Sequence, residues 1–204
     1  MAVHHAPASR IARLGARLRH TAHAPRVAVG TATATAARVL ASARIGLGFV
    51  FLWAFLDKAF GWGYATPGTR SWINGGSPTK GFLSHVSAGP LRSAFRHLAG
   101  QTWADWLFML GLLGIGVALI GGFALRIAAG SGTLLMVLMW AAEWPPARHL
   151  VDGAASGSTN PVMDYHLVYA LLLIALAATG AGGTWGVGSR WADLPIVREH
   201  AWLR

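Results

Sequence analysis

Residues 102–144 read TWADWLFMLGLLGIGVALIGGFALRIAAGSGTLLMVLMWAAEW. Two apolar runs stand back to back here, separated only by a turn through Gly121, Gly122 and Arg126. A hydrocarbon core of about 30 Å needs about twenty helical residues to cross it. The stretch therefore reads as two membrane spans, 103–123 and 125–144. Similar runs occupy 39–60 upstream and 161–180 downstream. Backbone polar groups in lipid must be satisfied within the segment, which selects helices. The expected fold is all-α: an integral membrane four-helix bundle with a long outer loop, 61–101, between helices one and two. The chain partitions into a basic, disordered cytoplasmic tail (1–38), the transmembrane domain (39–182) and a cytoplasmic C-terminal tail (183–204).

Composition agrees with that class. Of 204 residues, 54% are hydrophobic and 12% charged, and the mean hydropathy is +0.46. The absence of cysteine excludes disulfides, thiolate metal centres, Cys-ligated iron–sulfur clusters, c-type haem and thiol nucleophiles. A net charge of +10 resembles that of a nucleic-acid binder, but here the cations gather at the ends of membrane spans. That pattern fits an orientation signal and contact with anionic lipid, with no nucleic acid involved. Ile11, Leu14 and Leu18 among arginines could also form a short surface helix. No Walker loop, dinucleotide fingerprint, HExxH or Ser-His-Asp pattern occurs, and histidine placement disfavours bis-His haem.

With the N-terminus cytoplasmic, Lys58, Arg70, Lys80, Arg92, Arg96 and Arg148 fall outside. The other eleven of 17 basic residues fall inside. This asymmetry places both termini in the cytoplasm of a plasma (inner) membrane protein.

Each span carries an ionisable group at its outer end: Asp57 and Lys58, Asp105, Glu143, and Asp164 with His166. A charge at membrane depth costs about 2.5–3.5 kcal/mol, so four such ends imply a shared polar pocket. Periodicity sorts the residues. Ser42, Gly46, Val50, Trp53 and Asp57 form an inward stripe of small residues. Arg44 and Lys58, on a neighbouring stripe, snorkel from opposite ends. Ala129, Gly132, Met136, Met139 and Glu143 form a second inward seam, and His166, Ala170, Leu173 and Ala177 a third. Helix two carries a glycine stripe at Gly111, Gly114, Ala118 and Gly121. Asp105, three residues after Thr102, suits a capping box. Asn160-Pro161 suits an N-cap followed by Pro at the first helical position. Asp164 and His166, two apart, diverge by about 200° on a helix, which argues against a single-helix Asp–His metal pair.

Four stretches, GGSPTKGFL (75–83), DWLFMLGLLGIGVALIGG (105–122), NPVMDYHLVYALLLIALAATGAG (160–182) and TWGVG (184–188), resemble the DoxX/DoxD family of four-helix membrane proteins. The resemblance spans about residues 36–192. It implies kinship with the small membrane subunit of a thiosulfate:quinone oxidoreductase, and it supplies no catalytic residues to carry over.

Two functions remain open at this stage, with a third behind them. The first is a quinone-reactive subunit, with Asp57, Glu143 and His166 as the catalytic set and Lys58, Trp53, Trp140 and Asp164 as substrate contacts. Quinone is then the substrate, without haem, iron–sulfur or metal, and electrons come from a redox partner subunit. The second is a non-catalytic membrane anchor or assembly subunit, with 61–101 as a docking surface. The third is a small-solute or proton pathway. Lipids, a redox partner and a further copy of the chain are the partners considered.

Overall fold

A computed structural model describes residues 26–203, with side chains from residue 33 onward. The expected surface helix around Ile11, Leu14 and Leu18 lies outside the described residues. The chain divides into two compact units, 1–37 and 38–204, and the core and the candidate site belong to the second. The helices are α1 (Arg26–Phe60), α2 (Lys80–Leu83), α3 (Arg92–Leu98), α4 (Thr102–Gly121), α5 (Leu125–Glu143), α6 (Tyr165–Ala178), α7 (Gly188–Ala192) and α8 (Pro195–Glu199). Among the described residues there is no strand, only isolated bridges at Trp62–Pro67 and His149–Ala155.

Among the described residues, three helices are long and apolar enough to cross a membrane: Thr33–Phe60 within α1, α4 and α5. The fourth apolar helix, α6, has 14 residues, about 21 Å at 1.5 Å per residue. It is shorter than the 161–180 span expected, because residues 160–164 are not helical. The Asn160 side chain accepts from the backbone N–H groups of Val162 and Met163, both at 2.9 Å. That turn replaces the expected Asn160 cap, and Asp164 is the true N-cap. α1 starts at Arg26, well before residue 39. The Ala- and Thr-rich stretch there can be helical without being apolar, so hydropathy sees only the later part.

All four apolar helices contribute to one buried cluster. It includes Leu47 and Phe51 of α1, Leu112, Ile115 and Leu119 of α4, Met136 of α5, and Leu173 and Leu176 of α6. The α5 and α6 seams pack as their spacing requires. A Cβ on Gly132 would stand 2.7 Å from Leu173 Cδ1, so the glycine permits that approach.

The inward stripe expected on α1 is buried at Asp57 but not at its small residues. Ser42, Gly46 and Val50 are exposed, while Ala41, Arg44, Leu47, Gly48 and Phe51 are buried. Gly111 and Gly114 have open space beside them. The helices meet instead at Gly116, where a Cβ would come 2.7 Å from the Leu52 backbone nitrogen.

The cause of the shift is Arg44, which does not snorkel; its side chain is 0% exposed. Nη1 donates to the carbonyls of Leu119 and Ile120, and Nη2 to those of Thr184 (3.0 Å) and Trp185 (2.9 Å). Leu119 and Ile120 lie in the last turn of α4, where the helix dipole is negative and carbonyls run short of donors, Leu119 O keeping only the capping Gly122 N–H at 3.2 Å. Turning α1 by the two residues between Ser42 and Arg44, about 200°, brings the guanidinium to these acceptors.

The segment after α6 is folded and is not a free tail. Val187 N–H donates to Gly121 O at 2.8 Å. Trp191 packs on Phe123 at 5.4 Å and donates to Leu203 O at 2.6 Å. Arg126 donates to Ala201 O at 2.7 Å. The glycines of TWGVG are steric necessities: a Cβ on Gly186 would fall 2.6 Å from Gly182 O, and one on Gly188 2.6 Å from Gly122 O.

Arg44→Met removes a fully buried donor shared by four carbonyls. We expect a loss of about 1–3 kcal/mol from the acceptors left unmet, read as a lower thermal unfolding midpoint in detergent. Arg44→Lys should recover part of it, since an ammonium cannot reproduce the fork. A midpoint equal to that of the wild type for Arg44→Met would remove Arg44 from its central place.

Candidate functional site

The connection between α1 and α4 is tied down by two of the expected outer acids. Asp57 is 2% exposed. Its carboxylate accepts from the backbone N–H groups of Tyr64 (3.2 Å) and Ala65 (2.9 Å), folding the chain back onto the end of α1. Asp105 is also buried. Its Oδ1 accepts from Ser77 Oγ (2.9 Å), Thr79 N–H (3.0 Å) and Thr79 Oγ1 (2.6 Å). This corrects the capping-box expectation. Thr102 is the first residue of α4, its N-cap Gln101 makes no side-chain cap, and Asp105 holds a distant loop. The loop's α3 then packs Phe95 with Val86 and with Ala142 of α5.

The other two acids meet a histidine. Asp164 stands at φ −122° and ψ −176°, extended rather than helical. Its Oδ1 accepts from Leu167 N–H at 3.2 Å as the cap of α6, and Oδ2 lies 2.8 Å from His166 Nδ1. The expectation that Asp164 and His166 must diverge assumed helical geometry at both residues, and Asp164 precedes the helix. His166 is 2% exposed. Glu143, the last residue of α5, brings Oε2 to 3.9 Å from the same Nδ1, while its Oε1 accepts from Tyr165 OH at 3.1 Å. Glu143, Asp164 and His166 each offer a ligand atom, all within 4.8 Å of one another.

Glu143, Asp164 and Tyr165 line a cleft of about 540 Å³, shared with His85, Phe82 and Ser158. That volume lies in the range of small-molecule sites. His166 sits behind this wall. The Asp164 contact at Nδ1 fixes the orientation of the His166 ring. Glu143 is 36% exposed and connects this buried group to the cleft.

The expected meeting of Asp57, Glu143 and His166 is therefore met in part. Glu143 and His166 come together with Asp164, whereas Asp57, Lys58 and Trp53 do not line the cleft. Trp53 lies in an aromatic cluster with Phe49, Trp62 and Tyr64, and Lys58 is half-buried near the end of α1. Trp140, also expected as a substrate contact, does not line the cleft either. Its Nε1 donates to Val162 O at 2.8 Å and its ring contacts Trp144 at 5.6 Å. Periodicity missed Tyr165 and His85. Tyr165 has no place in the α6 seam, although its position between Asp164 and His166 was a usable signal. His85 lies in a connection with no period to read.

Comparison of the chain with protein-family models, with curated proteins and with solved structures finds no match.

Asp105→Ala removes the acceptor for the 77–79 turn. Hydrogen bonds to a charged group contribute about 1.5–3 kcal/mol, so limited proteolysis should cut within 75–90 faster while α4 and α5 stay intact. Unchanged cleavage would contradict the tether.

Proposed function

We propose that the chain is a DoxX/DoxD-like four-helix membrane subunit of a quinone-linked oxidoreductase, with its quinone site at the Glu143–Tyr165–His166–Asp164 cluster. One observation carries this reading: a hydrogen-bonded acid–histidine set opens onto a cleft of about 540 Å³ at the end of apolar helices. Quinone chemistry needs those parts. Its tail needs an apolar approach, its two carbonyl oxygens need donors, and reduction consumes two electrons and two protons to give the quinol. Tyr165 and Glu143 meet the head group. His166 stands behind them, oriented by Asp164, and exchanges protons through Glu143. The electrons come from a redox partner subunit, since the chain has no cysteine for an iron–sulfur cluster.

In this reading α6 completes the bundle as a short fourth span, with local bilayer thinning accommodating its length. The 11-to-6 distribution of basic residues puts both termini in the cytoplasm and the cluster on the outer side of the plasma membrane.

A non-catalytic anchor is the second reading. It is favoured by the use of Asp57 and Asp105 as tethers, which present the exposed Trp62, Tyr64, Ile73 and Leu91 on the connection. A pathway through the bundle has less support, because the shared cluster between Arg44 and His166 is apolar.

In reconstituted protein, Glu143→Gln should lower quinone-dependent turnover by about 10²-fold, the usual size of a lost acid–base group. Asp105→Asn should lower thermal stability and leave turnover close to wild type. Equal or reversed losses at matched expression favour the anchor. For topology, a reporter fused after Arg204 should be active only in its cytoplasmic form, and external activity would refute the orientation.

A further inference from the structure

We propose that Glu143, Asp164 and His166 bind one divalent transition-metal ion of the zinc class. The inference uses the residues of the quinone reading without depending on that reading.

Three observations point to an ion. First, each carboxylate is divided in use. Asp164 commits Oδ1 to the Leu167 N–H and turns Oδ2 to His166 Nδ1 at 2.8 Å. Glu143 commits Oε1 to the Tyr165 hydroxyl and turns Oε2 to the same nitrogen at 3.9 Å. The uncommitted oxygens thus converge on one ring nitrogen, and the committed ones are held by outer partners. This is how metal sites orient carboxylate ligands. Second, the spacing fits. Zinc bonds of about 2.0–2.2 Å at tetrahedral angles separate ligand atoms by about 3.4 Å, and the two distances to Nδ1 bracket that value. Glu143 is the group that must move. It is the last residue of α5 and the most exposed of the three. His166, 2% exposed, is already in place.

Third, charge and access suit a dication. Two carboxylates and a neutral imidazole sum to −2, which a divalent ion cancels. Glu143 and Asp164 line the cleft, so a fourth position is open to water or a small ligand, as in zinc sites with three protein ligands. One imidazole and two carboxylates, without thiolate, select zinc, iron(II) or manganese(II) over soft ions. The ion takes the place of the proton shared by His166 and Asp164, so it also closes the proton route that quinone reduction would use.

The test is metal binding by the full chain in detergent, after chelator treatment. Cobalt(II) serves as a spectroscopic probe and zinc as competitor. The expected result is one cobalt per chain with visible ligand-field bands, lost on adding one equivalent of zinc. Glu143→Gln, which changes an exposed side chain and leaves the fold intact, should weaken zinc binding by about 100-fold, and His166→Ala should abolish the bands. Tyr165→Phe, which removes only the outer partner, should weaken binding by about 10–100-fold. No zinc-displaceable band, or a band equally strong in Glu143→Gln and His166→Ala, overturns the proposal. The second pattern would mean adventitious binding at others of the nine histidines. No quinone enters the assay, so its failure leaves the quinone reading to its own test.

Discussion

A guanidinium buried among apolar helices must find acceptors, and one end of this structure follows from that requirement. Arg44 donates to the last turn of α4 and to the Thr184–Trp185 backbone. An unpaired buried charge is so costly that the helix must present it to whatever carbonyls are free. Acceptors are found in the last turn of α4 and in the loop at Thr184–Trp185. One side chain therefore sets the rotation of α1, joins α1 to the α4–α5 turn, and holds the segment after α6 against both. The close contact at Gly116 and the glycines of TWGVG follow from that arrangement.

The other end meets the same physical problem in two ways. Asp57 and Asp105 take backbone and hydroxyl donors from the 61–101 connection, so their charge is spent on holding a loop. Glu143 and Asp164 have fewer donors. Each satisfies one oxygen locally and turns the other to His166. A carboxylate wrapped in N–H groups is structural. A carboxylate facing a buried imidazole beside an open cleft is chemically available, whether the species exchanged there is a proton or a metal ion.

Much of the fold was legible in hydropathy, because bilayer thickness sets span length directly. The Ala129–Gly132–Met136 and His166–Ala170–Leu173 seams were legible too, since α5 and α6 pack through residues that repeat with the helix. The reading failed where one polar contact outranks periodicity. Ser42, Gly46 and Val50 look like an interface, yet Arg44 turns them outward. Asp164 and His166 look incompatible only if both are helical, and an extended N-cap residue escapes the 100° step. Asn160-Pro161 looks like a helix start, but Asn160 folds its side chain onto the next two N–H groups. Half of the site was thus readable from seams, and the remainder depended on a cap and a tyrosine that no period marks.

The central claim is that His166 is shared by two carboxylates, Glu143 at the end of α5 and Asp164 at the cap of α6. Nitrogen-15 spectra of the His166 ring in lipid, assigned by loss in His166→Gln, test it most directly. A protonated, hydrogen-bonded Nδ1 whose resonance moves in both Asp164→Asn and Glu143→Gln is the result expected. A His166 ring indifferent to both substitutions would contradict the account.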